Sequence, residues 1–435
     1  MRISVIGCGY LGAVHAASMT SLGHEVVGVD VDAEKIARLS AGEAPFFEPG
    51  LVPLLQQSLA SGRLRFTTDP AEAAGAEAHF IAVGTPQSAD GTAADLRYVD
   101  AALDALLPIL REGDVVVGKS TVPVGTAAGL AALLEGSGAV LAWNPEFLRE
   151  GYAVKDTLHP DRLVYGVPQG AGGERAAAVL DEVYAATLAE GTPRIVADYA
   201  TAELVKVAAN AFLATKISFI NAMAEIAEVT GADVTLLADA LGHDARIGRR
   251  FLNAGVGFGG GCLPKDIRAF TARAEELGRG QSLAFLREVD EINLRRRQRM
   301  VDLVVESFGG RPFGRRVAVL GLAFKPESDD VRDSPALDVA VRLKGLGAEV
   351  VTHDPEAMGP AGRMHPQLAY AASAEEALRG AEAVVLVTEW REYRDLDPVA
   401  IAALVDQAVI FDGRNVLDAT AWRAAGWTYR GLGRP

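Results

Sequence analysis

The chain is predicted to be an α/β protein with two doubly wound, Rossmann-like domains joined by a central helical region that carries one long helix. Three observations predict it. Short β-branched runs alternate with Ala-rich stretches of helical length, the pattern of a mainly parallel sheet covered on both faces. A weaker echo of the opening strand-turn-helix-strand pattern returns near the C-terminus. Between the two lies an apolar stretch, about Tyr199 to Glu228, too long for a strand and broken only by scattered polar residues.

Ile3 to Gly7 reads as a strand, followed by a turn and a helix through about Leu22, and Glu25 to Asp30 as a second strand. Further strands are expected at His79–Val83, Asp114–Val117 and Val140–Trp143, each ending where Gly, Thr, Pro or Asn begins. The second domain opens with Arg316–Gly321. Its Leu346-Gly347-Ala348-Glu349-Val350-Val351 parallels Leu22-Gly23-His24-Glu25-Val26-Val27, and the two strands lead to Asp354 and Asp30. Ala383–Val387 and Val409–Phe411 continue this second sheet. The expected boundaries are 1–198, 199–309 and 310–435, with no low-complexity linker between them.

Composition narrows the class. Hydrophobic residues make up 49% and charged residues 23%, as in ordinary globular proteins. A net charge of -15 argues against a nucleic-acid surface, which concentrates Lys and Arg. Two cysteines in unlike surroundings, Cys8 and Cys262, give no disulfide framework and fit a reducing compartment. The N-terminal apolar stretch is interrupted by Gly7, Gly9 and Gly12, which suits a phosphate-binding turn better than a signal peptide. Polar residues Glu203, Lys206, Asn210 and Lys216 mark the long helix as buried in protein rather than in a membrane. A cytoplasmic enzyme with no metal site is expected.

Gly7-Cys8-Gly9-Tyr10-Leu11-Gly12 matches GxGxxG, a weak signal alone in a chain with 46 glycines. Here it follows a predicted strand and opens a helix, so the glycines serve the tight turn, the approach of a pyrophosphate and close helix packing. Asp30 ends the next strand, where a carboxylate accepts from ribose hydroxyls and repels a 2′-phosphate. The cofactor expected is NAD.

Cys262 lies in Gly257-Phe258-Gly259-Gly260-Gly261-Cys262-Leu263-Pro264-Lys265-Asp266. Four glycines let backbone approach a ligand, Pro264 suits a first helical turn, and a thiol near a helix N-terminus and a lysine ionises more easily. By itself a lone cysteine in a Gly-rich turn is more often a small buried residue. Lys206 and Asn210, four apart on the long helix, face one way.

These segments, with Gly84-Thr85-Pro86, Ser120-Thr121-Val122-Pro123-Val124-Gly125-Thr126, Asn144-Pro145-Glu146-Phe147-Leu148-Arg149-Glu150-Gly151, Arg246-Ile247-Gly248, Phe324-Lys325-Pro326, Arg332 and Asp412-Gly413-Arg414, resemble the nucleoside-diphosphate-sugar 6-dehydrogenases, the UDP-glucose/GDP-mannose dehydrogenase family. The match runs nearly end to end in the family's order. It implies NAD-dependent four-electron oxidation of a sugar C6 alcohol to the acid. A thiolate traps the intermediate aldehyde as a thiohemiacetal, and a second hydride loss leaves a thioester that water hydrolyses.

The resemblance makes Cys262 the nucleophile, Lys206 the oxyanion stabiliser and Asn210 an orienting group. Asp266, Thr121 and Glu150 are candidates for holding a water or moving a proton, with the principal base left open. As cofactor contacts it implies Gly7, Gly9, Tyr10, Leu11, Gly12, Asp30, Lys35, Thr85, Thr121, Glu150, Lys265 and Arg332. Around the sugar nucleotide it implies Glu146, Phe147, Leu148, Arg149, Glu150, Lys206 and Asn210, the segment Phe251, Leu252, Asn253, Ala254 and Gly255, then Gly259, Lys325 and Arg414. Arg246 would reach the neighbouring subunit's substrate, so a homodimer or higher homo-oligomer is expected. The loop departs from many UDP-glucose enzymes at Gly261 and Leu263, and Leu after the cysteine also occurs in the GDP-mannose branch. Asp156-Thr157-Leu158-His159-Pro160-Asp161-Arg162-Leu163 looks like the UDP-glucose branch. UDP-glucose is the expected substrate, with thymidine-diphosphate glucose or GDP-mannose as alternatives. A one-hydride dehydrogenase or a nonenzymatic NAD-binding regulator would leave Cys262 or its partners without a purpose.

Overall fold

The computed structural model describes residues 1–89 and 91–435. The chain divides into two compact units, Met1–Ala209 with Ala272–Gly278, and Asn210–Thr271 with Arg279–Pro435. Most of the helical middle thus groups with the C-terminal sheet.

The first unit is built on strands β1 (Arg2–Ile6), β2 (Glu25–Val29), β3 (Leu64–Thr67), β4 (Ala78–Ile81), β5 (Val115–Gly118), β6 (Val140–Trp143), β7 (Leu163–Gly166) and β8 (Arg194–Ala197). Their order is β3-β2-β1-β4-β5-β6-β7-β8, parallel except where β6 meets β7 through Trp143 and Gly166. Val and Ile dominate β1, β2 and β5 because these strands are covered on both faces, by apolar clusters around Val5, Met19 and Phe80 and around Val27, Leu103 and Trp143. Since β1, β4, β5 and β6 run the same way, the turns after them emerge along one edge. That edge carries Gly7–Gly12, Val83–Pro86, Lys119–Thr126 and Asn144–Gly151, where doubly wound sheets bind ligands.

The second unit holds β9 (Arg316–Leu320), β10 (Glu349–His353), β11 (Ala369–Tyr370), β12 (Ala383–Leu386), β13 (Val409–Asp412) and β14 (Thr428–Gly431), all parallel in the order β11-β10-β9-β12-β13-β14. The expected strands all form. Five that form were not expected, β3, β7, β8, β11 and β14. β3, β8, β11 and β14 are short, and charged, polar or outward-facing residues interrupt their apolar pattern; β7 is short but buried throughout.

The long helix, Tyr199–Thr230, exceeds its expected end by two residues. It is the one helix among the described residues long and apolar enough to cross a bilayer by length and composition, with 44% of its most apolar window buried in protein. Ile220, Ala224 and Ala227 pack there against Val234, Ala238, Leu252 and Ala254.

Candidate active site

The three glycines of the first turn each answer a separate steric demand. Gly7 has φ +91°, and a Cβ there would lie 2.7 Å from the Val83 side chain. A Cβ on Gly12 would lie 1.7 Å from the Gly7 carbonyl oxygen, so only glycine lets the helix close on the turn. Gly9 has nothing within 4 Å of that position, and it precedes the helix Tyr10–Ser21 with no side-chain cap. Open space before uncapped N–H groups is where a pyrophosphate fits. Asp30 fastens the turn, its Oδ2 accepting from Cys8 N and from Lys35 Nζ, both at 2.8 Å. Lys35 therefore stands beside Asp30. Thr85 Oγ1 donates to the Thr121 carbonyl at 2.7 Å, tying the turn after β4 to the loop after β5. Leu11 packs partly buried on the core. Cys8 is buried, and desolvation and Asp30 push its thiol well up, which suits a structural residue.

Further along the same edge Lys206 Nζ pairs with Glu146 Oε1 at 2.9 Å, both largely buried. Two cations lie near the Phe147 ring, Lys206 at 5.6 Å and Arg162 at 3.8 Å from its centre. Leu148 N donates to Glu146 Oε2 at 2.7 Å, and Arg149 makes a two-pronged pair with Asp156. A cleft open to solvent is lined here by Lys119, Asn144, Glu146, Phe147, Arg162 and Tyr184.

Three residues without an expected role hold this edge together. Glu48 accepts from Gly151 N at 2.6 Å and Ala153 N at 2.7 Å and is bonded by the Tyr10 hydroxyl, so it links the glycine turn to the segment carrying buried Glu150. Glu203 accepts from Gly125 N and Ala127 N, both at 2.7 Å, fixing the loop after Thr121; burial pushes its pKa up. Lys119 donates to Asn144 Oδ1 and Tyr184 OH at the root of the Glu146 segment.

In the second unit Cys262 is exposed and immediately precedes the helix Leu263–Glu276. One turn on, Asp266 N donates to the Cys262 carbonyl at 3.0 Å. The Asp266 carboxylate is buried and receives Asn210 Nδ2 at 2.6 Å and Lys265 Nζ at 2.5 Å. Asn210, Asp266 and Lys265 thus form one cluster beside the thiol's own turn. Arg332 pairs with Asp330, and its guanidinium lies over Gly261, where a Cβ would sit 2.3 Å from its Cζ. Gly259 approaches the Asp333 carbonyl, 2.3 Å from where a Cβ would stand.

The nucleotide segment is partly engaged within the protein. Gly255 N donates to Asn221 Oδ1, and Arg249 holds both Leu252 O and Asn253 Oδ1. Ala254 is buried, and Phe251 takes φ +65°. Lys325 lies 5.3 Å from the Phe324 ring centre. Arg246 is 89% exposed in its side chain and pairs with Asp244. Arg414 directs three N–H groups at the carbonyls of Val387, Gly257 and Phe324 and lies 3.2 Å from Glu389.

Three models of the UDP-glucose/GDP-mannose dehydrogenase family match in order, its NAD binding domain over residues 1–188, its central domain over 200–295 and its UDP binding domain over 318–419. The UDP-glucose 6-dehydrogenase of Pseudomonas aeruginosa is 42% identical over 450 residues, covering 100% of this chain and 98% of that protein. UDP-glucose 6-dehydrogenase TuaD of Bacillus subtilis is 41% identical over 441 residues, covering 100% and 93%. A solved UDP-glucose dehydrogenase structure from Pyrobaculum islandicum superposes with TM-score 0.90 at 42% identity, covering 100% of this chain and 98% of that one. The chain belongs to the UDP-glucose/GDP-mannose dehydrogenase family.

Proposed function

We propose that this enzyme oxidises the C6 alcohol of UDP-glucose to UDP-glucuronate, with Cys262 as the covalent nucleophile. The single observation that carries the nucleophile is its setting, an exposed thiol at the start of a helix whose first turn holds a buried carboxylate fixed by Asn210 and Lys265. NAD, when bound, accepts a hydride in each of two successive oxidations. The uncapped helix after Gly9 and the carboxylate of Asp30 would hold its pyrophosphate and ribose.

Cys262 adds as thiolate to the carbonyl carbon of the aldehyde, forming a C–S bond and leaving the charge on oxygen. Lys206 is assigned to stabilise that oxygen and Asn210 to orient it. Loss of the second hydride from the thiohemiacetal gives a thioester. Water attacks its carbonyl, the C–S bond breaks, and the sulfur leaves as thiolate with the acid released. Asp266, Thr121 and Glu150 are the groups assigned to hold that water and its proton. Glu146 to Arg149, Phe251 to Gly255, Gly259, Lys325 and Arg414 are assigned to the sugar nucleotide.

A homodimer is supported by the long helix, on which Phe212, Phe219, Ile226 and Val229 are exposed at spacings that put them on one face. The exposed guanidinium of Arg246 suits a contact with a partner's substrate. A cytoplasmic location is supported by the pair of reduced cysteines.

The test counts NADH against sugar. Two NADH per UDP-glucose with UDP-glucuronate as product is expected, while one NADH with free aldehyde would refute the covalent scheme. Cys262→Ala should bind both ligands and release no acid. Thymidine-diphosphate glucose and GDP-mannose run alongside; a higher kcat/KM on either would move the substrate assignment.

A further inference from the structure

The backbone just before Cys262 is held at five of its polar groups, and two of the side chains that hold it, Asn293 and Arg297, have no assigned part in the reaction. Val256 N donates to the Gly413 carbonyl at 2.8 Å, and the Gly257 carbonyl accepts from Arg414 Nη1 at 2.8 Å. Both polar groups of Phe258 meet one side chain: its N–H donates to Asn293 Oδ1 at 2.7 Å, and its carbonyl accepts from Asn293 Nδ2 at 2.9 Å. The same carbonyl takes a second bond, from Arg297 Nη2 at 3.1 Å. Gly260 N then donates to the Arg332 carbonyl at 2.9 Å.

Asn293 is 0% and Arg297 3% exposed, one turn apart on the helix Phe285–Ser307. An amide that reads both sides of one residue fixes that residue's place along and across the helix. Arg297 is itself anchored by Asp333, whose Oδ1 lies 2.8 Å from Nη1. The fit is tight enough to dictate sequence, since a Cβ on Gly257 would lie 2.1 Å from Asn293 Oδ1. Without a side chain at Gly257 the backbone can be clamped this closely.

We infer that Asn293, backed by Arg297, is a positioning residue for the Cys262 thiolate: it fixes the Phe258 peptide so that the sulfur is held for attack before the aldehyde can leave. The inference rests on Cys262 being the nucleophile. A misplacement of about 1 Å costs on the order of a hundredfold in a positioned reaction. The loss should fall on the step that needs the sulfur, so aldehyde made by the first oxidation escapes.

The experiment uses full-length Asn293→Leu, equal in shape and unable to hydrogen-bond, with UDP-glucose, NAD and a hydrazine trap for aldehyde. Expected are a drop in acid-forming kcat of roughly a hundredfold with KM values within about threefold, NADH per sugar falling from two towards one, and trapped aldehyde. A partly unfolded population would lower rate without altering that ratio. Wild-type kcat, or a reduced kcat with the ratio held at two and no trapped aldehyde, overturns the inference. Should Asn293→Leu fail to fold by thermal unfolding, Asn293→Asp keeps the acceptor for Phe258 N and Arg297→Lys loses the fork, and both are held to the same criteria. Cys262→Ala separates the two ideas: acid production by that variant defeats the nucleophile assignment, whereas its failure beside a normal Asn293→Leu defeats only the clamp.

Discussion

The two sheets share a strand order around their opening strand, β3-β2-β1-β4-β5 and β11-β10-β9-β12-β13, yet they use the first turn in opposite ways. In both, an aspartate after the second strand ties down the turn after the first. Asp30 binds Cys8 N, and Asp354 binds Leu322 N at 2.7 Å and Ala323 N at 3.0 Å. The difference is what surrounds them. Asp354 also receives Glu356 N, Ala357 N and Trp390 Nε1, and Leu322 and Ala323 are buried. Its turn is filled by protein, and the next long helix waits until Pro335. The first turn leaves Gly9 facing open space with a helix directly behind it. An aspartate after the second strand therefore marks the scaffold, and the unobstructed glycine is what sets the proposed cofactor site apart.

The comparison breaks most visibly at the aspartates. Asp354→Ala leaves five donors without their acceptor, four of them buried, at roughly 1–3 kcal/mol for each unsatisfied buried group, enough to unfold a domain of ordinary stability. Asp30→Ala leaves fewer donors stranded and should fold, with NAD affinity lowered at least about tenfold and the preference over NADP reduced. Urea unfolding and cofactor titration of both variants decide it; equal stability losses would mean that the two carboxylates do the same job.

A smaller effect sharpens the glycine half. Gly9→Ala places its methyl in open space, so thermal stability should stay within about 1 kcal/mol of the parent while NAD affinity falls about tenfold or more through the blocked pyrophosphate approach. Isothermal titration beside a melting curve checks both. Unchanged affinity would show that the open space is not where the diphosphate lies.

Sequence pattern reached the elements whose cause is local. The β-branched runs gave β1, β2, β5, β9 and β12, the glycine spacing gave the first turn, and the thiol's surroundings flagged Cys262. Glu48, Glu203 and Asn293 were not legible as site-builders, because their partners stand 105, 78 and 35 residues away. One signal was present. Glu203, Lys206 and Asn210 fall at i, i+3 and i+7 on an otherwise apolar helix, and each holds a separate segment: Gly125–Ala127, Glu146 and Asp266. Arg414 shows the converse, a charge the family pattern directs at substrate that also gives three of its five N–H groups to backbone carbonyls.

The two sheets also differ in the cation that follows their corresponding strands, Lys119 after β5 and Arg414 soon after β13. Both are deeply enclosed, and burial lowers the pKa of each. An arginine keeps its charge regardless. Lys119, 7% exposed, is brought down to about 8 by desolvation, with Glu146 opposing and Lys206 assisting. In the unfolded chain the same lysine holds its proton to about 10.4. Between those values the unfolded state binds more protons, so stability rises with pH across the window. Below pH 8 both states are charged and the burial cost is felt in full. Lys119→Met has no such titration, so its stability relative to the parent should be most favourable at pH 7 and decline by on the order of 3 kcal/mol by pH 10. Subtracting paired urea unfolding curves at matched pH removes the contribution of every other group. A flat difference would mean that Lys119 keeps its proton in the fold, and that its bonds to Asn144 and Tyr184 offset burial.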